Sequence, residues 1–361
     1  MPELRRHAID IREALPEDGA ALMQAIEQIN QETEFLGKPE ERLPWADRAG
    51  ETIREMRARG SGIYLLALRG AEIVGFLGGF AGWLQRIRGV IFIGHVGLRQ
   101  AERGRGIGRQ LFIALEAWAR QRGAYRLELR VDTENTRGLA LYTRREFAIE
   151  GRIADAALVD GRWHAHFWMA KPLDLGREPP MPPVDLTPPA ERSDAGRLQF
   201  RRIEVADARA LCAWERQLLG ETALLLKRPT EVMDEAKMAG YLAETQNLDE
   251  RLLWAAIDEQ RIVAHLSAWR QPGLRMRHDA FFSINVLRDH WGIGIGRALF
   301  DRLLAWAAER KLRRISTAVQ RHNVRGLRFA KALGFVEEVV SPRYAVLDGQ
   351  AVERVQLGKV L

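Results

Sequence analysis

The sequence predicts an α/β protein made of two tandem copies of one domain, each a mixed sheet flanked by helices. Three observations carry this reading. A glycine-rich run, Arg103-Gly104-Arg105-Gly106-Ile107-Gly108, recurs 188 residues on as Trp291-Gly292-Ile293-Gly294-Ile295-Gly296. The same offset carries Arg109, Leu111, Phe112, Leu115, Trp118 and Ala119 onto Arg297, Leu299, Phe300, Leu303, Trp306 and Ala307 unchanged. Between the copies, residues 174–197 are rich in proline, which removes backbone donors and favours an extended, semi-stiff chain. The copies are therefore placed at 7–173 and 198–361, with 174–197 as linker. A unit of that length is too long for a solenoid repeat and suits a duplicated domain.

The elements follow in order along the first copy. Asp10-Ile11-Arg12-Glu13-Ala14 reads as a short strand, and Asp18 opens an amphipathic helix through Leu22, Ile26 and Ile29. The charged segment from Pro39 to Arg59 predicts a second helix. Ile63–Leu68 and Ile73–Leu77 are strands joined by a turn at Arg69-Gly70. Val90–Leu98 is the next strand, followed by the glycine loop and a helix from Gly108 to about Arg122. Leu127–Val131 alternates as a strand, Leu139–Arg145 is helical, and a final hairpin turns at Asp160-Gly161. The second copy repeats that turn at Asp348-Gly349. Upstream, Arg12 and Ile73-Val74 match Arg201 and Ile262-Val263 at an offset of 189. One residue is thus missing from the second copy, in the loop between roughly Phe80 and His95.

The chain has 361 residues, a net charge of +7 and a single cysteine, Cys212. Internal disulfides and thiolate metal sites are excluded, and a reducing cytoplasm is expected. The apolar runs are strand-sized, below the roughly 18 residues of a membrane span, and Met1–His7 has no apolar core of a secretory signal. The charge admits nucleic-acid binding. No helix-turn-helix, zinc spacing or aromatic-basic interleaving supports it, so an anionic cofactor is the expected partner of the arginines.

A glycine run ahead of a helix has a specific chemistry. The helix N-terminus leaves backbone N–H groups unpaired and carries partial positive charge, so it binds phosphate. Gly104, Gly106 and Gly108 let the chain approach a pyrophosphate closely, while Arg103, Arg105 and Arg109 add charge beside it. The alternative is a structural strand-to-helix turn. Neither copy has the lysine and hydroxyl of a P-loop, and the spacing Gly-x-Gly-x-Gly, late in the domain, is not that of a dinucleotide fold.

The run resembles the Arg/Gln-x-x-Gly-x-Gly/Ala motif of the general N-acetyltransferase (GNAT) superfamily. Val96-Gly97-Leu98 is similar to that family's strand whose backbone pairs with pantetheine. Asn135, followed by Leu141-Tyr142 and Phe147, resembles its later motif. The resemblance implies two GNAT-like domains with mainly antiparallel sheets and acetyl-CoA as cofactor. It also implies acetyl transfer to a primary amine of a small molecule or peptide. It gives the pyrophosphate to Arg103–Arg109 and a cofactor contact to Asn135. Protonation of the departing sulfur goes to Tyr142. In the second copy the corresponding cofactor positions are Val286, Trp291, Gly292, Ile293, Gly294, Ile295, Gly296, Arg297 and Asn323.

The copies differ where chemistry is expected. Tyr142, which could donate a proton, is matched by Ala330, which cannot; Trp291 replaces Arg103 and removes a charge; Gln320 replaces Asp132. Packing under the last helix is the alternative role for Tyr142. The chemistry is therefore expected mainly in the first copy. The second either binds cofactor or keeps the fold for packing. His95 is the candidate base, with a strand residue facing an adjacent layer as its alternative. Glu128 and Glu150 are further candidates, alternatively solvated or paired. Acceptor specificity is expected from 34–45, Trp83 and the Trp163–His166 hairpin strand. His164 and His166 alternate as metal ligands would, but no third ligand accompanies them, so no metal is expected. A scaffold that only binds acyl-CoA is the competing function.

Overall fold

The computed structural model describes residues 8–37, 46–173, 198–245, 247–271, 273–347 and 349–361. Met1–His7, Lys38–Trp45, the expected linker 174–197 and Asp348 of the expected final turn lie outside the described residues. So do the predicted helix start at Pro39 and much of the expected acceptor segment. The chain divides into two compact units, whose described parts are 8–154 with 159–173, and 155–158 with 198–361.

In the first unit the strands are β1 (Ile9–Glu13), β2 (Gly62–Arg69), β3 (Glu72–Ala81), β4 (Val90–Leu98), β5 (Arg126–Asp132), β6 (Ala148–Val159) and β7 (Arg162–Pro172). The helices are α1 (Gly19–Gln31), α2 (Ala49–Arg59), α3 (Ile107–Gln121) and α4 (Thr136–Arg144). The sheet runs β1-β2-β3-β4-β5-β7-β6. There β4 and β5 pair in parallel, while β1 to β4 and β5–β7 pair antiparallel. Period-two alternation divides the side chains between two helical layers. In β2, Ile63, Leu65 and Ala67 join a core with Leu111, Phe112, Leu115 and Trp118 of α3. Tyr64, Leu66 and Leu68 join Leu22, Ile26 and Ile29 of α1 and Ile53 of α2 on the opposite face. Each large apolar side chain so buried contributes about 1.5–3 kcal/mol. Helix α2 begins at Ala49, and a 3₁₀ turn, Ala46–Arg48, precedes it.

The second unit repeats this plan. Its strands are β8 (Gln199–Arg202), β9 (Arg251–Asp258), β10 (Arg261–Arg270), β11 (Asp279–Val286), β12 (Arg314–Gln320), β13 (Val336–Leu347) and β14 (Gln350–Val360). Its helices are α5 (Ala208–Glu221), α6 (Glu235–Thr245), α7 (Ile295–Glu309) and α8 (Val324–Ala332). The sheet order is β8-β9-β10-β11-β12-β14-β13, with β11 and β12 parallel. A bulge at the start of β3, between Ala67 and Leu68 on its partner, recurs in β10 between Ile262 and Ala264.

One bulge does not recur. Against β3, His95 pairs with Gly78 and Ile93 with Gly79, leaving Gly94 without a partner. In the second unit Ser283 pairs with Ser267 and Phe282 with Ala268, without interruption. The residue missing from the second copy is therefore Gly94, inside a strand rather than in the preceding loop. The extra residue shifts the alternation. Ile91 and Ile93 face α3 before it, and Val96 and Leu98 pack on that same core after it.

Candidate active site

The glycine loop takes its shape from residues that only glycine suits. Gly104 and Gly106 have φ of 78° and 81°, and Gly292 and Gly294 have 83° and 92°. A Cβ built on Gly104, Gly106 or Gly294 would meet nothing within 4 Å, so the space over the loop is open. Gly106 and Gly294 are the N-caps of α3 and α7, which begin at Ile107 and Ile295. Gly108 has another task. Its Cβ would stand 3.1 Å from Leu141 of α4, and that of Gly296 3.2 Å from Phe329 of α8, so these two let the helices approach.

Beside each loop the sheet opens. β4 pairs with β5 from Val90 to Ile93 only, and β11 with β12 from Asp279 to Phe281 only. Beyond those points the parallel strands part. Val96-Gly97-Leu98, and Val286 in the second unit, thus lie on the free stretch. An open strand edge beside a helix N-terminus fits a long ligand with a pyrophosphate at one end.

The arginines divide. Arg103 Nε donates to the Leu98 carbonyl at 3.1 Å, and its guanidinium lies 3.6 Å from Glu32. Trp291 makes the same attachment, its indole N–H donating to the Val286 carbonyl at 2.7 Å. The substitution therefore removes a charge but keeps the tether. Arg105 is half-exposed and 3.5 Å from Glu102, while Arg109 is exposed on the first turn of α3. Arg297 pairs with Asp301 at 3.0 Å. A second tether escaped sequence reading. The Glu32 carboxylate accepts the Gln100 backbone N–H and Arg99 Nε, and Glu221 accepts the Arg288 N–H at 2.8 Å. Glu32 and Glu221 stand 189 residues apart, and that match was the available signal.

Asn135 caps α4, its Oδ1 accepting the Gly138 N–H at 2.9 Å; Asn323 caps α8 through Gly326 at 2.8 Å. Capping by itself accounts for asparagine in both copies. Tyr142 is half-buried, edge-on to Phe112, and packs on the α3-side core. Burial pushes its phenol up to about 12, and its hydroxyl has no hydrogen-bond partner among the described residues. Ala330 is buried.

His95 lies on the other face. Its Nδ1 is 2.8 Å from the buried Tyr64 hydroxyl, and its ring meets Phe80 edge-on. Burial pulls its pKa down to about 4, so the imidazole is neutral at pH 7. Tyr142 and His95 are thus not neighbours on one face but occupy opposite sides of the sheet, next to the opening. Glu128 and Glu150 both pair with buried Arg126, and Glu338 pairs likewise with Arg314 in the second unit. Trp83 is exposed and Trp163 partly so. His164 is bonded to Asp132 at 2.6 Å.

A model of the acetyltransferase (GNAT) family matches residues 19–147 and again 221–335, well over half of the chain. The chain belongs to the acetyltransferase (GNAT) family. Its members use acetyl-CoA. Solved structures with a similar fold include a GNAT-family acetyltransferase from Streptococcus pneumoniae. It is 25% identical, with a TM-score of 0.43, covering 46% of this chain and 99% of its own. The yncA structure from Salmonella typhimurium, with its cofactor acetyl-CoA, is 20% identical at a TM-score of 0.43, covering 47% and 97%. A ribosomal-protein-alanine N-acetyltransferase from Brucella melitensis is 23% identical at 0.41, covering 45% and 99%. No curated protein matches this sequence. Among the described residues, no helix is long and apolar enough to cross a membrane.

Proposed function

We propose that the first unit, 7–173, transfers the acetyl group of acetyl-CoA directly to a primary amine of a small molecule or peptide. On this reading 174–197 is a linker, and 198–361 is a second cofactor-binding copy without transfer chemistry. One observation carries the assignment. The unbonded Tyr142 hydroxyl, His95 and the Gly94 bulge all stand beside the opening of the first sheet, and the second unit has Ala330, Ser283 and an unbroken strand instead.

Acetyl-CoA supplies a thioester when bound. The N–H groups of the 103–108 loop and the first turn of α3 hold its pyrophosphate, with Arg105 and Arg109 alongside. The backbone of Val96-Gly97-Leu98 runs beside the pantetheine. Tyr142 keeps a proton at Oη for the departing sulfur, because burial holds the phenol protonated through neutral and mildly alkaline pH. His95 faces the acceptor from the opposite side as a neutral imidazole. With a pKa near 4 it is a weak base, and it serves here to bind and orient.

Thiol release with a panel of amines, and mass detection of acetylated product, tests the function. Tyr142→Phe is expected to lower kcat about 100-fold with little change in the KM for acetyl-CoA. An unchanged chemical step removes Tyr142 from the mechanism. No acetylated product with any amine of the panel leaves an acyl-CoA-binding scaffold as the function.

A further inference from the structure

We propose that His164, oriented by Asp132, accepts the proton of the acceptor amine in the first unit. This rests on the acetyl-transfer reading above and adds the group that reading lacks.

The geometry is that of an imidazole held by a carboxylate. His164 Nδ1 lies 2.6 Å from Asp132 Oδ2, and both side chains are less than one-tenth exposed. The other oxygen, Asp132 Oδ1, accepts the Glu134 backbone N–H at 2.8 Å. An ionised carboxylate can only accept, so Nδ1 carries a proton and, in the neutral ring, Nε2 has the lone pair. Nε2 has no hydrogen-bond partner among the described residues. The same carboxylate stabilises the imidazolium once Nε2 takes a proton. His95 has no such support, since its Nδ1 partner is the Tyr64 phenol.

The placement suits the role. β5 leaves β4 at Leu129, and Asp132 follows three residues on. Leu127, Leu129 and Val131 face α3, so alternation turns Asp132 to the other face, the one His95 occupies. His95 therefore stands on one arm of the opening, β4, and Asp132 on the other, β5, with His164 held against it from the neighbouring β7.

The second unit forms this turn without the pair. There the positions hold Gln320 and Val352. The turn nevertheless forms alike. Asn323 N–H donates to the Gln320 carbonyl at 2.9 Å as Asn135 does to Asp132 at 3.1 Å, and Arg321 N–H donates to Glu353 as Thr133 does to Ala165. Burying an ionisable pair costs desolvation that this turn does not require. In the proposed step the amine nitrogen forms the C–N bond as the C–S bond breaks. His164 Nε2 first takes a proton from the ammonium and so frees the lone pair that attacks; Tyr142 gives its proton to the sulfur, and the second proton shed by the nitrogen restores the phenol.

Two measurements test this. With ¹⁵N-labelled histidine, His164 should show a protonated Nδ1 and an unprotonated Nε2 at neutral pH, and Asp132→Asn should disturb that state. A protonated Nε2 in the native protein overturns the proposal, whatever the enzyme acetylates. Kinetically, His164→Gln should lose about 100-fold in kcat/KM for an aliphatic amine, cationic at pH 7, but under about 5-fold for an aromatic amine, already neutral. The Kd for coenzyme A should stay within about 3-fold. Equal loss for both amines, or no loss, overturns the assignment. The paired variant Asp132→Gln/His164→Val carries the second unit's own residues, and should show the same selective loss if the single variant does not fold.

Discussion

The two units share a cradle and differ in what surrounds its open end. Both have positive-φ glycines, a capped helix after the loop, an asparagine-capped helix downstream and a glutamate hooked to the loop's approach. Even Arg103 and Trp291, chemically unlike, attach to the same strand-end carbonyl. A buried anchor next to the loop reverses its polarity, with Arg69–Glu102 in one unit and Asp258–His290 in the other. What does not survive the comparison is the set of groups to which transfer was assigned above. Tyr142, His95, the Asp132–His164 pair and the Gly94 bulge have no counterparts. The difference teaches that the loop geometry depends on backbone and is indifferent to many side chains, whereas transfer as proposed would depend on a few side chains and one extra residue.

The largest effect should come from blocking the cradles one at a time. Gly106→Glu and Gly294→Glu each place a charged side chain at positive φ over the loop, and each should weaken coenzyme A binding at its own site more than about 100-fold. Calorimetric stoichiometry should then fall from two sites to one. A wild-type stoichiometry of one would break the comparison by showing the second cradle inert. Deleting Gly94 should come next. The unit keeps its fold and cofactor affinity, as the unbroken β11 keeps its sheet, while acetyl transfer drops about 100-fold. Retained turnover would show the bulge to be incidental. Smallest is Arg103→Trp. The indole can reach the Leu98 carbonyl as Trp291 reaches Val286, so the Kd for coenzyme A should shift by no more than about 3-fold. A loss of 10-fold or more would mean that the guanidinium acts on the phosphate rather than on the loop.

Much of this was legible in the sequence because it is periodic or local. The strand and helix order, the glycine loops and the Tyr142–Ala330 contrast follow from patterns within a few residues and one offset. Asn135 was legible as a position, but its capping bond appears only with the helix start at Thr136, three residues before the apolar pattern begins. The Asp132–His164 pair joins residues 32 apart on neighbouring strands, a register that no local pattern encodes. Seen only along the chain, His164 alternates with His166 without the third ligand a metal needs, and nothing there points to a carboxylate partner. Tyr64 and His95 likewise meet across β2, β3 and β4 through a bulge that moves His95 by one position.

That bulge also bears on how residues are matched between related chains. Alignments place gaps in loops, where insertions are tolerated. Setting the gap before Val90 would align Ile91 with Asp279 and Ile93 with Phe281. The strand pairings instead align them with Ala280 and Phe282, whose side chains are buried as Ile91 and Ile93 are. Across this family, a gap put one turn too early assigns half a strand to the wrong side of the sheet, and with it the residues credited with function.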